Sequence, residues 1–197
     1  FKATKLKIGF EVDEDAALIE AVRNAVGHDF GLMLDANHGY DSIDAIRLAQ
    51  KVEHLNLGWF EEPVPPEDLE GYLAVKASTS IPMAGGECEY TRFGFREVLK
   101  LGAIDYLQPD ICAAGGLSEC KKIADMANAF GVRLVPHVWG TGIGLSAGLH
   151  LLGVLPHNPP GRRPWEPMLE FDRSEHPARQ AIMRTPIEHV GGVVQIP

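Results

Sequence analysis

Short apolar runs recur along this 197-residue chain, and each gives way to a charged or polar residue at its end. Residues 3–9 alternate, with Leu6 and Ile8 on one face and Lys5 and Lys7 on the other, which is the period of a β-strand. Further strands are predicted over residues 31–36, 57–60, 81–85, 104–107, 132–135 and 168–171. Between them the apolar spacing turns helical. Asp13 reads as the cap of a helix through Val26, with Ala17, Leu18, Ala21, Val22 and Ala25 on one stripe and Gly27 as the stop. Asp41 opens a second helix carrying Ile43, Ile46, Leu48 and Val52, and Pro65-Pro66 starts a third that ends near Ala77. Helices are also predicted over 92–101, from the Gly115-Gly116 turn to Phe130, over 142–152, and as a short piece over 177–183. Residues 156–167 read as a long irregular segment and 190–197 as an extended tail.

The polar strand ends fall at one phase. From Lys7 the steps to Asp35, Glu61, Glu87, Asp110, His137 and Glu170 are 28, 26, 26, 23, 27 and 33 residues. A strand, a loop, a helix and a second loop occupy about that length, so the rhythm is that of a repeated βα unit. The predicted fold is an α/β, TIM-like barrel of parallel strands, with seven strands where a closed barrel has eight. In such a barrel the strands' C-terminal ends converge on the face where chemistry is done. No linker or composition shift divides residues 1–197, which therefore read as a single domain.

The formal net charge of −9 argues against nucleic acid as a partner. The longest apolar stretch, residues 143–155, is too short to span a bilayer and is broken by Gly and His. No signal-peptide pattern is visible at the start of the chain. Cys88, Cys112 and Cys120 lack a paired spacing, which predicts reduced thiols in a cytoplasmic protein, with Cys88 a packed side chain.

Asp35, Glu61 and Glu87 close three successive strands. Three converging carboxylates repel one another, and a divalent cation is the natural compensation. All-oxygen donors favour a hard ion, here Mg²⁺. Taken singly, each acid reads first as a surface carboxylate paired with Lys or Arg; the shared phase reverses that for the set. Lys5 and Lys7 share one face of a strand, where like charge and a nearby cation lower a lysine pKa toward that of a useful base. Asp110 and His137 close adjacent strands, and a carboxylate beside a histidine fixes its tautomer and raises its basicity. Lysine, a His–Asp pair and a cation describe a site for removing a proton next to a carboxylate, with the cation and Lys5 holding the charge of the enediolate. Glu170, inside the apolar run Met168-Leu169-Glu170-Phe171, could donate a hydrogen bond to the same carboxylate if protonated, or position another group if ionised; Glu166 is its competitor.

These motifs resemble the barrel domain of the enolase superfamily, in its mandelate racemase subgroup. Lys5-Leu6-Lys7 matches the K-x-K strand. Asp35-Ala36-Asn37, Glu61-Glu62-Pro63 and Gly86-Glu87 match the three metal-ligand motifs. Pro109-Asp110 and Pro136-His137 match the dyad, and Leu169-Glu170 the last-strand glutamate. Residues 35–40, 85–95 and 156–166 are also similar to galactarolactone cycloisomerase-like proteins.

The resemblance implies Mg²⁺ on Asp35, Glu61 and Glu87, with Lys7 and His137 as opposed acid/bases. Lys5 would contact the substrate carboxylate, and Asn37 would touch the substrate or stabilise the intermediate. The implied reaction is α-proton abstraction from a small carboxylic acid through an enediolate, with dehydration of a sugar acid put first. Cycloisomerisation of a sugar-acid lactone and racemisation or epimerisation of a 2-hydroxy acid are the alternatives, and a non-catalytic metal-binding barrel fragment is the alternative class. Family members place a capping domain before the barrel, whereas this chain opens at what would be the second strand and stops inside the tail. The expectation is an incomplete (β/α)7β barrel holding strands two to eight, truncated at both ends and without its N-terminal cap. Such a piece could be inactive alone. The full-length protein is expected to be a homo-oligomer with no membrane partner. Residues 2–9 and 168–171 would be unpaired edges.

Overall fold

A computed structural model describes residues 1–155 and 166–196 of the chain. Strand and helix alternate as the spacing predicts. The order is β1 (Ala3–Lys7), α1 (Val12–Val26), β2 (Gly31–Asp35), α2 (Ser42–Val52), β3 (Phe60–Glu61), α3 (Leu69–Ser78), β4 (Met83–Gly85) and α4 (Thr91–Leu101). Then come β5 (Tyr106–Leu107), α5 (Leu117–Ala129), β6 (Arg133–Leu134), α6 (Gly142–Leu152), α7 (Ala178–Ala181), β7 (His189–Val190) and β8 (Val193–Val194). No helix among the described residues is long and apolar enough to cross a membrane. The chain forms two compact units, Phe1–Gly85 with Leu101–Tyr106, and Gly86–Lys100 with Leu107–Pro197.

In the first unit β1, β2, β3 and β4 lie side by side in that order, all parallel. Leu32, Met33 and Leu34 are all buried, as expected of a parallel strand covered on both faces. The register sets Lys7 opposite Asp35, Asp35 opposite Glu61 and Glu61 opposite Ala84, so the shared phase becomes a physical row. Helix α1 packs beside α2, and α2 beside α3.

Two predicted helix faces are corrected. In α1 the buried residues are Val12, Asp15, Ile19 and Arg23, and the stripe of Ala17, Leu18, Ala21 and Ala25 is exposed. Arg23 explains the inversion. Its guanidinium donates to the carbonyls of Leu55 (2.9 Å), Gly27 (2.7 Å), Phe30 (2.7 Å) and Asn56 (3.0 Å). A buried cation satisfied by four carbonyls is tolerated where a bare one would not be. Asp13 does not cap this helix; Glu11 occupies the cap position, and Asp13 pairs with Lys51 at 3.1 Å. Helix α2 does begin at Asp41, whose side chain accepts from Asp44 N–H at 2.9 Å, but Ile43 is exposed and Ala45, Leu48, Ala49 and Val52 are buried. Helix α3 starts later than its prolines suggest, because Asp68 turns back on Pro65 and caps it through Gly71 N–H at 2.9 Å.

In the second unit α5 packs on β6 and α6. Val138, Leu145, Leu149 and Ile187 form a core against which Leu169, Phe171, Met183 and Val194 pack. Residues 168–171 are not a strand. Leu169 and Phe171 of this apolar run enter the core while Glu170 takes another partner, but no ladder forms. The extended tail is instead an antiparallel hairpin of β7 and β8. Gly191 and Gly192 make its turn at φ 60° and 81°, the left-handed pair that a tight hairpin of matching twist requires. Cys88 is exposed rather than packed, as is Cys112. The irregular segment predicted from Pro156 lies, over residues 156–165, outside the described residues.

Candidate active site

The predicted site residues fall into two groups, one in each unit. Lys5, Lys7, Asp35, Asn37 and Glu61 come together in the first. Strand alternation puts Lys5 and Lys7 on one face of β1, and the β1–β2–β3 register brings them to the carboxylates that close β2 and β3. Lys5 Nζ lies 2.5 Å from Glu61 Oε1 and 3.1 Å from Asp35 Oδ2. Lys7 Nζ lies 2.5 Å from Asp35 Oδ2 and 2.6 Å from Asn37 Oδ1. Both carboxylates are fully buried. Burial alone would push the Asp35 carboxyl up, but the charge of Lys5 and the hydrogen bond and charge of Lys7 outweigh it and hold it below the usual range.

The backbone around this group is held in unusual conformations. Asn37 and His38 have φ of 42° and 64°, and Glu62 has φ of 44°. Such residues cost about 1–3 kcal/mol each and persist where the surroundings over-determine them. Here His38 N–H donates to the Glu62 carbonyl at 2.9 Å and Ala36 N–H to the Glu61 carbonyl at 3.0 Å, so the turns after β2 and β3 run together. The turn after β1 is tied down by Asp15, whose Oδ2 accepts from Gly9 N–H (3.0 Å), Phe10 N–H (2.8 Å) and the Tyr40 hydroxyl. Gly9 has φ of 105°, and a Cβ there would sit 2.5 Å from the Ala36 carbonyl oxygen. Lys7 and Asn37 therefore leave two turns that are clamped to each other.

The second unit gathers Glu87, Asp110, His137 and Glu170. Asp110 and His137 each lie three residues past a strand, and they pair as an isolated parallel bridge. His137 Nδ1 is 2.8 Å from Asp110 Oδ2, and its Nε2 is 3.2 Å from Glu87 Oε2. Asp110 Oδ1 accepts from Cys112 N–H at 2.6 Å and Ala113 N–H at 3.2 Å. Burial would raise the Asp110 carboxyl, yet the bond to His137 and these amides bring it below its ordinary value. Burial would lower His137, but the Asp110 hydrogen bond and the charges of Glu87, Glu170 and Asp110 leave it raised. Glu170 Oε2 accepts from Val138 N–H at 2.9 Å, which seats it beside the histidine's own strand end. A histidine flanked by two carboxylates is equipped to hold and pass a proton.

Three contributors escape the sequence reading. Trp59 Nε1–H donates to Glu61 Oε2 at 2.9 Å, and the i, i+2 spacing that puts both on one strand face was the signal available. His38 Nε2 lies 3.3 Å from Glu62 Oε2, which the Glu61-Glu62 doublet does not announce. The Asp15–Tyr40 clamp gives no signal, because an aspartate in a first helical turn is ordinary.

The residues fit a divalent cation. Asp35 and Glu61 are two buried carboxylates neutralised here by ammonium groups, and their oxygens are the hard donors Mg²⁺ prefers.

The enolase C-terminal domain-like family model matches residues 1–197. D-galactarolactone cycloisomerase of Agrobacterium fabrum is 50% identical over 197 residues, which cover 100% of this chain and 52% of that protein. Arabinonate dehydratase of Saccharolobus solfataricus is 33% identical, with 100% of this chain and 51% of that protein covered. The chain thus spans about half the length of these curated relatives. The crystal structure of the 3,6-anhydro-D-galactonate cycloisomerase from Zobellia galactanivorans superposes at a TM-score of 0.92 with 45% identity, over 100% of this chain and 54% of that one. A racemase from Streptomyces coelicolor A3(2) with bound magnesium superposes at 0.75 with 32% identity, over 80% of this chain and 43% of that one. The fold is the TIM-barrel-like α/β type, of which the chain carries a part. With its strand-end carboxylates, lysine pair and His–Asp dyad at the matching motifs, the chain belongs to the enolase C-terminal domain-like family.

Proposed function

We propose that this protein is a Mg²⁺-dependent enzyme that removes the proton α to the carboxylate of a sugar acid and then eliminates a β-oxygen. The observation that carries this reading is the His137 dyad, with Nδ1 on Asp110 at 2.8 Å and the histidine's pKa raised. Lys7 and His137 are the two proton carriers: one takes the α-proton and the other delivers a proton to the departing oxygen. The C–H electron pair moves into the carboxylate to give an enediolate, then returns to expel the β-oxygen. Lys5 faces the substrate carboxylate, Glu170, seated by Val138 N–H, adds negative charge beside His137, and Asn37 steadies Lys7. Asp35, Glu61 and Glu87 would hold Mg²⁺, which when bound offsets the negative charge gathering on that carboxylate.

If the departing oxygen belongs to the ring of a lactone or anhydro sugar, the product is an isomer of the substrate. If it is a hydroxyl, water leaves. Cycloisomerisation is put first, because two proteins so named share 50% and 45% identity across the whole chain. Dehydration is the second reading, supported by the arabinonate dehydratase at 33%.

The test is to incubate the intact protein and Mg²⁺ in D₂O with a broad panel of sugar acids and their lactones. By NMR, deuterium at the α-carbon of recovered substrate, or at the β-carbon of the keto product, reports the shared step, and the product mass, corrected for deuterium, separates an isomer from a loss of water. No deuterium and no product from any member of the panel would remove the proton-abstraction reading. Activity that survives both Lys7→Ala and His137→Asn would show that these residues are not the proton carriers.

A further inference from the structure

We infer that Trp59 is a positioning residue for Glu61, fixing which carboxylate oxygen is presented to a cation. The inference rests on the proposed Mg²⁺ reading. Trp59 Nε1–H donates to Glu61 Oε2 at 2.9 Å, and the two residues are 3% and 0% exposed. The indole is not free to withdraw, because its ring packs against Tyr106 with centroids 5.2 Å apart. The other oxygen, Oε1, meets Lys5 Nζ at 2.5 Å.

Asp35 is built on the same plan. Its Oδ1 accepts the backbone N–H of Asn37 at 3.0 Å, and its Oδ2 takes Lys5 at 3.1 Å and Lys7 at 2.5 Å. Each buried carboxylate thus has one oxygen on a fixed, neutral N–H donor and one on the tip of a flexible ammonium. The neutral donor cannot be exchanged without leaving a buried N–H unpaired. The ammonium can swing away and yield its oxygen to a metal ion. For Asp35 the fixed donor comes from the backbone and is beyond substitution; for Glu61 it is Trp59.

Partners that orient a metal-ligating side chain typically contribute about 10- to 100-fold to metal affinity. The Kd for Mg²⁺ is read by titration calorimetry on the intact protein, unsubstituted and as Trp59→Phe. A second variant carries benzothienylalanine at position 59, which keeps the shape of indole and lacks only the N–H. Both should bind Mg²⁺ about 10-fold more weakly or worse. If Trp59→Phe does not fold, the isostere alone decides. A merely structural role predicts a lower urea midpoint with the isostere's Kd within about twofold of the unsubstituted protein, and that result overturns the inference. An unsubstituted protein that binds no Mg²⁺ overturns the proposed function itself, and the positioning role with it.

Discussion

Lys5 and Lys7 stand two positions apart on one strand and meet at Asp35 from different depths. Their side chains are 18% and 59% exposed. Lys5 spans Asp35 and Glu61, whereas Lys7 pairs with Asp35 and Asn37. In metal-free protein, Lys5→Ala removes the ammonium from the buried Glu61 charge and should cost about 3–5 kcal/mol, the usual penalty for breaking a buried pair. Lys7→Ala should cost no more than about 1 kcal/mol, because Asp35 keeps Lys5 and the Asn37 amide and the lost ammonium is mostly solvated. Urea unfolding in EDTA measures both. The order reverses for chemistry: Lys7→Ala should lose about 10²–10⁴ of the α-proton exchange, the typical contribution of a positioned acid or base. Equal destabilisation by the two substitutions would show that the exposed lysine is structural as well. The K-x-K pattern marks both residues and says nothing of this division, because depth is set by the neighbouring strands.

Among the elements, the segment that follows Glu170 is held by side-chain bonds rather than by a sheet. Asp172 Oδ1 accepts from Ser174 N–H at 2.8 Å, its Oδ2 accepts from the Ser174 hydroxyl at 2.9 Å, and Arg179 pairs with it while also donating to the Asp172, Ser174 and Gly140 carbonyls. Burial would raise the Asp172 carboxyl, but the two Ser174 bonds and Arg179 bring it below the ordinary value of 3.8. A group with a depressed folded-state pKa stabilises above its unfolded pKa, and that stability is lost as pH falls through the folded value. Asp172→Asn should therefore lower the urea midpoint at pH 6, and the gap from the unsubstituted protein should close below about pH 4. A gap that persists unchanged into acid would show that the carboxylate's charge is not what ties this segment. The same scale shows what the sequence made legible. The phase of the strand ends became the Lys7–Asp35–Glu61 row because a parallel ladder carries spacing directly into register. The buried face of α1 departs from its apolar stripe because periodicity counts apolar letters, while Asp15 and Arg23 are buried by their hydrogen bonds. Trp59 falls inside the strand predicted over residues 57–60, and only its N–H direction shows it serving Glu61.

For the whole molecule, the lysine-neutralised carboxylates mean that a cation must compete with ammonium groups already in place. Folding without metal is thus feasible, and binding should appear as added stability rather than as a condition for folding. A ligand that binds the folded state alone stabilises by RT ln(1 + [L]/Kd), about 2.7 kcal/mol at one hundred times Kd. Raising Mg²⁺ should lift the thermal midpoint of the intact protein steadily with the logarithm of its concentration, and EDTA should return it to the starting value. A net charge of −9 would also let any salt stabilise by screening, so the comparison is made against Na⁺ at matched ionic strength. Screening acts on every exposed charge and is indifferent to Asp35, which is fully buried. The Mg²⁺-specific increment should therefore vanish in Asp35→Asn, while the Na⁺ response stays the same. An increment that survives in Asp35→Asn would place the cation elsewhere on the acidic surface, and the row of strand ends would be an ion-pair network without a metal.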